Sequence, residues 1–137
     1  MKDLTRLYRD AIKRHATNPI GFCLEIDATN RYEADNPLCG DRILLSLRIV
    51  DGQLEAAAFE GEACAICMAS ASILCATVPG HPAQFLHERH GELLGALQGK
   101  GELNERDSLA PLLGVKAYPS RIDCATLPWS AAVRAIR

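Results

Sequence analysis

Three cysteines lie in settings that suit an exposed and stabilised thiolate. Cys39 stands two residues before Asp41, Cys64 opens a long run of small and apolar residues, and Cys124 follows Arg121 at a predicted helix start. Tight turns leave a thiol accessible, and the free N–H groups of a helix N-terminus lower the pKa of a thiol placed there. Because these cysteines are far apart in the sequence, they can form one site only if the fold assembles it.

If the loops that carry them converge, three thiolates meet one carboxylate: Cys39, Cys64, Cys124 and Asp41. Zinc accepts such a set tetrahedrally, and iron–sulfur clusters favour cysteine thiolates. A carboxylate is the harder and weaker ligand for these metals, so the set suits a transient site better than a purely structural one. Three separated cysteines can also be ordinary buried residues, and spacing alone leaves both interpretations open.

The bulk composition narrows the classes of function. A chain of 137 residues predicts one domain, spanning residues 1–137. A net charge of −2 gives no electrostatic footprint for nucleic acid, and no apolar stretch reaches the roughly 18 residues of a membrane span. The charged first residues do not resemble a secretory signal, so we expect a cytoplasmic protein with reduced cysteines rather than a disulfide framework.

The first half of the chain predicts one helix and a hairpin. Apolar residues at helical spacing indicate a helix over residues 3–16, and residues 22–28 suggest a short edge strand, followed by a polar stretch over residues 29–35. Residues 43–49 alternate between apolar and polar, and the turn Asp51-Gly52 leads into a returning strand over residues 54–60. The hairpin is the most distinct local pattern in the sequence.

The second half predicts mostly helices. Residues 64–78 carry no charge, which indicates a buried helix on the sheet, and residues 82–97 give a second helix. A short helix over residues 109–113 and a final helix from Cys124 follow, with Pro128 tolerable only in the first turn. The expected fold class is α+β, with a small antiparallel sheet of about three strands, helices mainly on one face, and the metal site at an exposed end of the sheet.

The remaining sulfur and imidazole groups suggest structural roles. The pair Cys64-x-x-Cys67 lacks the βαβ surroundings of a thioredoxin-like redox motif, so Cys67 is predicted to be a small buried residue. Cys23 and Cys75 are also predicted to be structural. The histidines are interpreted as surface residues (His81, His87 and His90) or as a core or capping residue (His15).

Five motifs in order carry a resemblance to a known family. They are Asn36-Pro37, residues 39–42, Phe59-Glu60-Gly61, Cys64 with residues 68–72, and Arg121 with residues 124–127. The chain resembles the U-type iron–sulfur cluster assembly family, which includes the IscU and NifU N-terminal scaffolds. It is most similar to the SufU branch, because residues 98–113 match the longer insertion of that branch and Asp123 stands where IscU-type members carry histidine.

This resemblance implies a fold of the IscU and NifU N-terminal type and a specific chemistry. It implies that Cys39, Asp41, Cys64 and Cys124 bind one zinc ion, or alternatively iron or a nascent [2Fe–2S] cluster. A SufS-like, pyridoxal-phosphate-dependent cysteine desulfurase would pass persulfide sulfur to Cys39, and Arg121 would steady the thiolate or persulfide. The recipients would be downstream assembly or apo-acceptor proteins.

Three functions stay open on this resemblance. The chain would be a zinc-dependent sulfurtransferase, a non-enzymatic scaffold that assembles and transfers the cluster, or a structural zinc module that regulates the desulfurase. The sequence departs from the branch at Ala63, which replaces a usual glycine, at Cys67, where serine is common, and at the additional Cys75. None of these departures removes an implied ligand.

Overall fold

A three-stranded antiparallel sheet with helices packed on one face forms the core of the protein. The computed structural model describes residues 4–137. Its elements in chain order are α1 (Leu4–Thr17), β1 (Asn30–Asn36), β2 (Asp41–Val50), β3 (Gln53–Glu62), α2 (Ala65–Thr77), α3 (Gln84–Leu97), two 3₁₀ helices (Ala110–Ala117 and Pro119–Arg121) and α4 (Ile122–Ala135). The predicted α+β class is confirmed. Among the helices of residues 4–137, none combines the length and the apolarity needed to cross a bilayer.

The central strand β2 sets which side of the sheet carries the core. Ile43, Leu45 and Leu47 are fully buried and alternate with partly or fully exposed residues, as expected for a strand with one covered face. Helix α4 packs on β1 and β2, and α2 packs on β3. The predicted turn is confirmed, because Asp51 and Gly52 both have positive φ angles of 52° and 77° and join β2 to β3 as a two-residue hairpin requires.

Helices α2 and α4 are joined by a buried polar contact. The Trp129 indole N–H donates a hydrogen bond to Ser70 Oγ at 3.1 Å, and the Ser70 hydroxyl in turn donates to the carbonyl of Ala125. Both Trp129 and Ser70 are fully buried. Because water cannot reach them, the indole N–H and the Ser70 hydroxyl need these hydrogen bonds. The contact fixes the first turns of α4 against the middle of α2.

The first strand lies later in the chain than the sequence predicts. Residues 22–28 form no regular strand; Cys23 N–H donates to the Phe59 carbonyl at 2.7 Å, and Phe59 N–H donates to the Gly21 carbonyl at 3.0 Å, as a single bridge. The strand is Asn30–Asn36 instead. Its outer face carries charged residues, which suits an edge strand. Because the strand has few apolar residues, its alternating pattern is too short to be recognised in the sequence.

The C-terminal elements also begin and end differently. The predicted short helix is a 3₁₀ helix that runs to Ala117. Helix α4 begins at Ile122, so Cys124 lies inside its first turn and Pro128 in its second, where the prediction had excluded proline. Proline lacks the N–H that would bond the carbonyl four residues earlier, and in α4 that carbonyl belongs to Cys124.

Gly61, near the end of β3, provides a test of the close packing between β3 and β2. Gly61 has a φ of 132°, and a Cβ built on it would lie 2.1 Å from the carbonyl oxygen of Arg42 in the neighbouring strand. We expect Gly61→Ala to lower the free energy of unfolding by about 1–3 kcal/mol through strain and overpacking. Chemical denaturation followed by circular dichroism measures this change.

Gly91→Ala is the matched control. Gly91 lies in α3, and nothing lies within 4 Å of the position that its Cβ would take. Alanine is favoured over glycine in a helix interior by up to about 1 kcal/mol, so this variant should be at least as stable as the wild type. Equal stability of the two variants would contradict the close approach at Gly61.

Candidate metal centre

The turn between β1 and β2 presents Cys39 to solvent. The carbonyl of Asn36 accepts hydrogen bonds from the N–H groups of Cys39 at 3.1 Å and Gly40 at 2.9 Å. Gly40 has a φ of 74°, a conformation that glycine adopts without steric cost. As a result Cys39 is exposed at the tip of the turn, while Asp41, two residues later, is only 1% exposed on the covered face of β2.

The Asp41 carboxylate connects this turn to the start of α2. Its Oδ1 accepts a hydrogen bond from the backbone N–H of Cys64 at 2.7 Å, and its Oδ2 lies 3.8 Å from Cys64 Sγ. Cys64 is the N-cap residue of α2, and its sulfur accepts from the N–H of Cys67 at 3.5 Å. An anionic carboxylate at a helix N-terminus is favoured by the dipole and by the free N–H groups there.

Helix α4 brings the third cysteine to the same place. Cys124 is fully buried, and its Sγ lies 3.2 Å from Cys39 Sγ. Cys39 Sγ also lies 4.0 Å from the carbonyl oxygen of Ser120, which precedes α4. The potential ligand atoms of Cys39, Asp41 and Cys124 all lie within 4.8 Å of one another, and Cys64 adjoins this cluster through Asp41.

The burial of Asp41 and Cys124 makes the cluster a poor place for several negative charges without a cation. Burial raises the pKa of the Cys124 thiol, and hydrogen bonds with Cys39, Asp41 and Cys64 raise it further. A bound divalent cation reverses this preference, because metals take cysteine as the thiolate. Three sulfur donors and one carboxylate oxygen suit zinc or iron rather than magnesium or calcium. The residues present therefore fit the implied group.

The other candidate residues lie outside this cluster. Arg121 is exposed and directly precedes α4, and its side chain forms no hydrogen bond or ion pair with any residue in the range 4–137. His15 Nδ1 pairs with Ser72 Oγ at 2.7 Å, joining α1 to α2, and His81 stacks on Phe85. Cys75 is buried, as a structural cysteine would be, whereas Cys23 is exposed.

Two contacts of the site escaped the sequence reasoning. The carbonyl of Ser120 is a backbone group, and no residue pattern indicates that it faces Cys39. Cys67 is buried as predicted, and its backbone N–H donates to Cys64 Sγ at 3.5 Å. Burial raises the pKa of its thiol, and the nearby charges of Asp41, Cys64 and Cys39 raise it further. The sequence does contain a signal for the second contact. Cys67 is three residues after Cys64, and residues at these two positions of a helix start lie close together.

Comparisons with known proteins show the family to which the chain belongs. The NifU-like N terminal domain family matches residues 7–137. The chain is 36% identical over 131 residues to the zinc-dependent sulfurtransferase SufU of Bacillus subtilis, covering 94% of this chain and 88% of that protein. It is 31% identical over 142 residues to the iron-sulfur cluster assembly scaffold protein IscU of Streptococcus pyogenes, covering 100% of this chain and 87% of that protein.

Solved structures give the same fold. A protein from Fervidobacterium islandicum, described as an iron-sulfur cluster assembly scaffold for the SUF system, superposes with a TM-score of 0.80 at 26% identity, covering 93% of this chain and 95% of that chain. The N-terminal part of a NifU-like protein from Brucella abortus superposes with a TM-score of 0.85 at 23% identity, covering 95% of this chain and 92% of that chain, which bears on the fold alone.

The hydrogen bond between Asp41 and Cys64 predicts a difference between two substitutions. Asp41→Ala leaves the partly buried N–H of Cys64 without its acceptor, which should lower the free energy of unfolding of the metal-free protein by about 1–3 kcal/mol. Asp41→Asn keeps an acceptor oxygen at a similar distance, so its free energy of unfolding should fall by less than that of Asp41→Ala. Urea denaturation in the presence of a chelator compares them, and equal losses would show that this bond does not stabilise the start of α2.

Proposed function

The chain belongs to the NifU-like N-terminal domain family, and we propose that it serves iron–sulfur cluster assembly by accepting sulfur on Cys39 from a cysteine desulfurase. The observation that carries this proposal is the unequal exposure of two adjacent thiols. Cys39 is exposed, while Cys124, 3.2 Å away, is fully buried. Only the exposed thiol can meet a sulfur atom presented by another protein.

Zinc is the proposed resting occupant, bound by Cys39, Asp41, Cys64 and Cys124. This assignment is supported by the donor set and by the zinc dependence in the name of the Bacillus subtilis relative. When bound, zinc supplies charge that keeps the thiols deprotonated and shields them from oxidation. All six cysteines are free thiols, so we assign this function to a reducing, cytoplasmic setting.

The sulfur transfer is a thiol–persulfide exchange. The proposed donor is a SufS-like, pyridoxal-phosphate-dependent desulfurase whose own cysteine carries the persulfide. The Cys39 thiolate attacks the outer sulfur of that persulfide, a new S–S bond forms on Cys39, and the cysteine of the desulfurase leaves as a thiolate. The exchange involves no net oxidation. Cys39 can then pass its sulfur to a downstream assembly or apo-acceptor protein by the same reaction.

Arg121 is proposed to assist the sulfur on Cys39. It follows Ser120, whose carbonyl oxygen lies 4.0 Å from Cys39 Sγ, and its guanidinium is exposed. A cation beside an exposed persulfide offsets the negative charge that develops on the transferred sulfur. The Arg121 side chain is therefore available to contact the sulfur atom that reaches Cys39 during the reaction.

A scaffold for a nascent [2Fe–2S] cluster is the second candidate function. The cluster would be cargo, carried on the thiols of Cys39, Cys64 and Cys124 with Asp41 as a weak ligand that eases release. Support comes from the close approach of Cys39 and Cys124 and from the Streptococcus pyogenes relative, whose name describes a scaffold. A structural zinc module that only regulates the desulfurase is the remaining alternative.

The decisive experiment follows sulfur from a cysteine desulfurase. The zinc-loaded wild type should stimulate multiple-turnover sulfide release, and mass spectrometry should find one added sulfur atom on the peptide that contains Cys39. Cys39→Ala should return sulfide release to the rate of the desulfurase alone. Cys23→Ser is the matched control, because Cys23 is also an exposed thiol but lies outside the cluster; it should behave as the wild type.

Other outcomes would favour the alternatives. Equal stimulation by wild type and Cys39→Ala would contradict sulfur acceptance and favour the regulatory module. A cysteine-dependent cluster chromophore that transfers to an apo-acceptor, without sulfur on Cys39, would favour the scaffold.

A further inference from the structure

Asn36 accepts hydrogen bonds from every backbone N–H group at the tip of the β1–β2 turn. Its carbonyl accepts from the N–H groups of Cys39 at 3.1 Å and Gly40 at 2.9 Å. Its side-chain oxygen Oδ1 accepts from the N–H of Leu38 at 3.2 Å. Pro37, the remaining residue of the tip, has no N–H group to donate. One residue therefore holds the whole segment that carries the exposed thiol.

Side-chain packing does little to fix this tip. Residues 37–40 are all exposed, and Leu38 is 91% exposed. A segment without buried apolar contacts opens easily unless hydrogen bonds restrain it. The bonds to Asn36 are therefore the main restraint on the backbone of Cys39 before a metal or a partner binds.

Asn36 itself has a fixed position at the end of the sheet. It is the last residue of β1 and pairs with Asp41, the first residue of β2. Asn36 is 8% exposed and lies with Asp41 on the covered face of the sheet. A buried residue in a paired strand gives the turn a rigid base, and a protein that docks on the exposed tip cannot reach it. Asn36 can therefore influence sulfur transfer only through the turn.

The conformation of the turn determines what the Cys39 sulfur faces. This sulfur lies 3.2 Å from Cys124 Sγ and 4.0 Å from the carbonyl oxygen of Ser120. Both groups belong to a distant part of the chain, so these distances depend on how the tip is held. A change in the tip moves the thiol relative to the rest of the cluster.

We propose that Asn36 is a positioning residue for sulfur acceptance, and that its side-chain amide holds Cys39 in place for the reaction. This role rests on the proposed function. Without the bond from the Leu38 N–H to Oδ1, the tip keeps only the two bonds to the Asn36 carbonyl, and the thiol samples a wider range of positions. Misplacement of a reacting group by 1 Å can lower a rate by about a hundredfold. Loss of this one acceptor should therefore slow the transfer of sulfur to Cys39.

The first experiment measures how firmly the tip is held, in the metal-free full chain without a desulfurase. Amide hydrogen exchange followed by NMR reports how often each N–H group opens. Asn36→Ala removes Oδ1 and keeps the carbonyl, so exchange at Cys39 and Gly40 should become about fivefold to tenfold faster. Asn36→Asp keeps an acceptor oxygen and should exchange at nearly the wild-type rate. Exchange in the middle of β2 should be the same in all of these proteins.

The second experiment measures sulfide release by a cysteine desulfurase with the zinc-loaded chain. Asn36→Ala should lower the maximal stimulated rate at least about tenfold, because its thiol is misplaced. The chain concentration that gives half of the maximal rate should not change, because the buried Asn36 does not contact the desulfurase. Asn36→Asp should restore most of the maximal rate.

Asn30→Ala is the matched control for loss of a side-chain hydrogen bond in β1. The Asn30 side-chain amide donates to the carbonyl of Ala135 at 2.8 Å, at the other end of the strand. This variant should keep the wild-type exchange at the tip and the wild-type rate of sulfide release. Asn36→Leu fills the buried volume without an acceptor, should behave as Asn36→Ala, and decides the test if Asn36→Ala does not fold. Far-UV circular dichroism verifies that each variant is folded.

Three outcomes would contradict this role. Wild-type exchange in Asn36→Ala and Asn36→Leu, or faster exchange with an unchanged maximal rate, would overturn it and leave the proposed sulfur acceptor intact. An equal fall of the maximal rate in Asn30→Ala would also overturn it, because the effect would then follow general stability. If the zinc-loaded wild type does not stimulate sulfide release, the proposed function fails and the role of Asn36 fails with it.

Discussion

The hydrogen bond from the Cys64 N–H to the buried carboxylate of Asp41 is the contact around which the site is organised. It joins the first residue of β2 to the N-cap of α2, two elements that are otherwise separated by the whole β2–β3 hairpin. A carboxylate with 1% exposure needs strong partners, and the helix N-terminus supplies them. Because one oxygen is engaged in this way, the other is directed to the thiol side. The same contact therefore stabilises the fold and positions a ligand.

The sulfur atoms of the cluster differ in solvent exposure, and this difference suits them to different roles. The exposed sulfur belongs to Cys39 in the β1–β2 turn, whereas Cys124 belongs to helix α4, which packs against the sheet and α2. A thiol that must meet another protein and a thiol that must retain a metal have opposite requirements for solvent access. Placing them 3.2 Å apart on different elements satisfies both requirements. This arrangement suits the proposed acceptance of sulfur better than a closed structural site.

The sequence was informative where local patterns and tertiary structure agree. The alternation in β2, the Asp51-Gly52 turn and the uncharged run of α2 each reflect local rules, and each prediction was confirmed. The first strand was missed because charged residues on its outer face conceal a short apolar pattern. The convergence of Cys39, Asp41 and Cys124 could be anticipated from motifs, but their distances depend on packing between elements. The neighbourhood of Cys67 depends on the same packing.

The Ser70 contact between α2 and α4 has a consequence for how the site exchanges its contents. Since hydrogen bonds among Trp129, Ser70 and Ala125 join the two helices, we expect Cys64 and Cys124 to move together. The β1–β2 turn is held by two hydrogen bonds to the Asn36 carbonyl, so we expect it to open more readily than the helices. Entry and exit of an ion would follow the fast kinetics of a loop rather than the slow rate of global unfolding. A bound ion could then leave the site without unfolding of the protein.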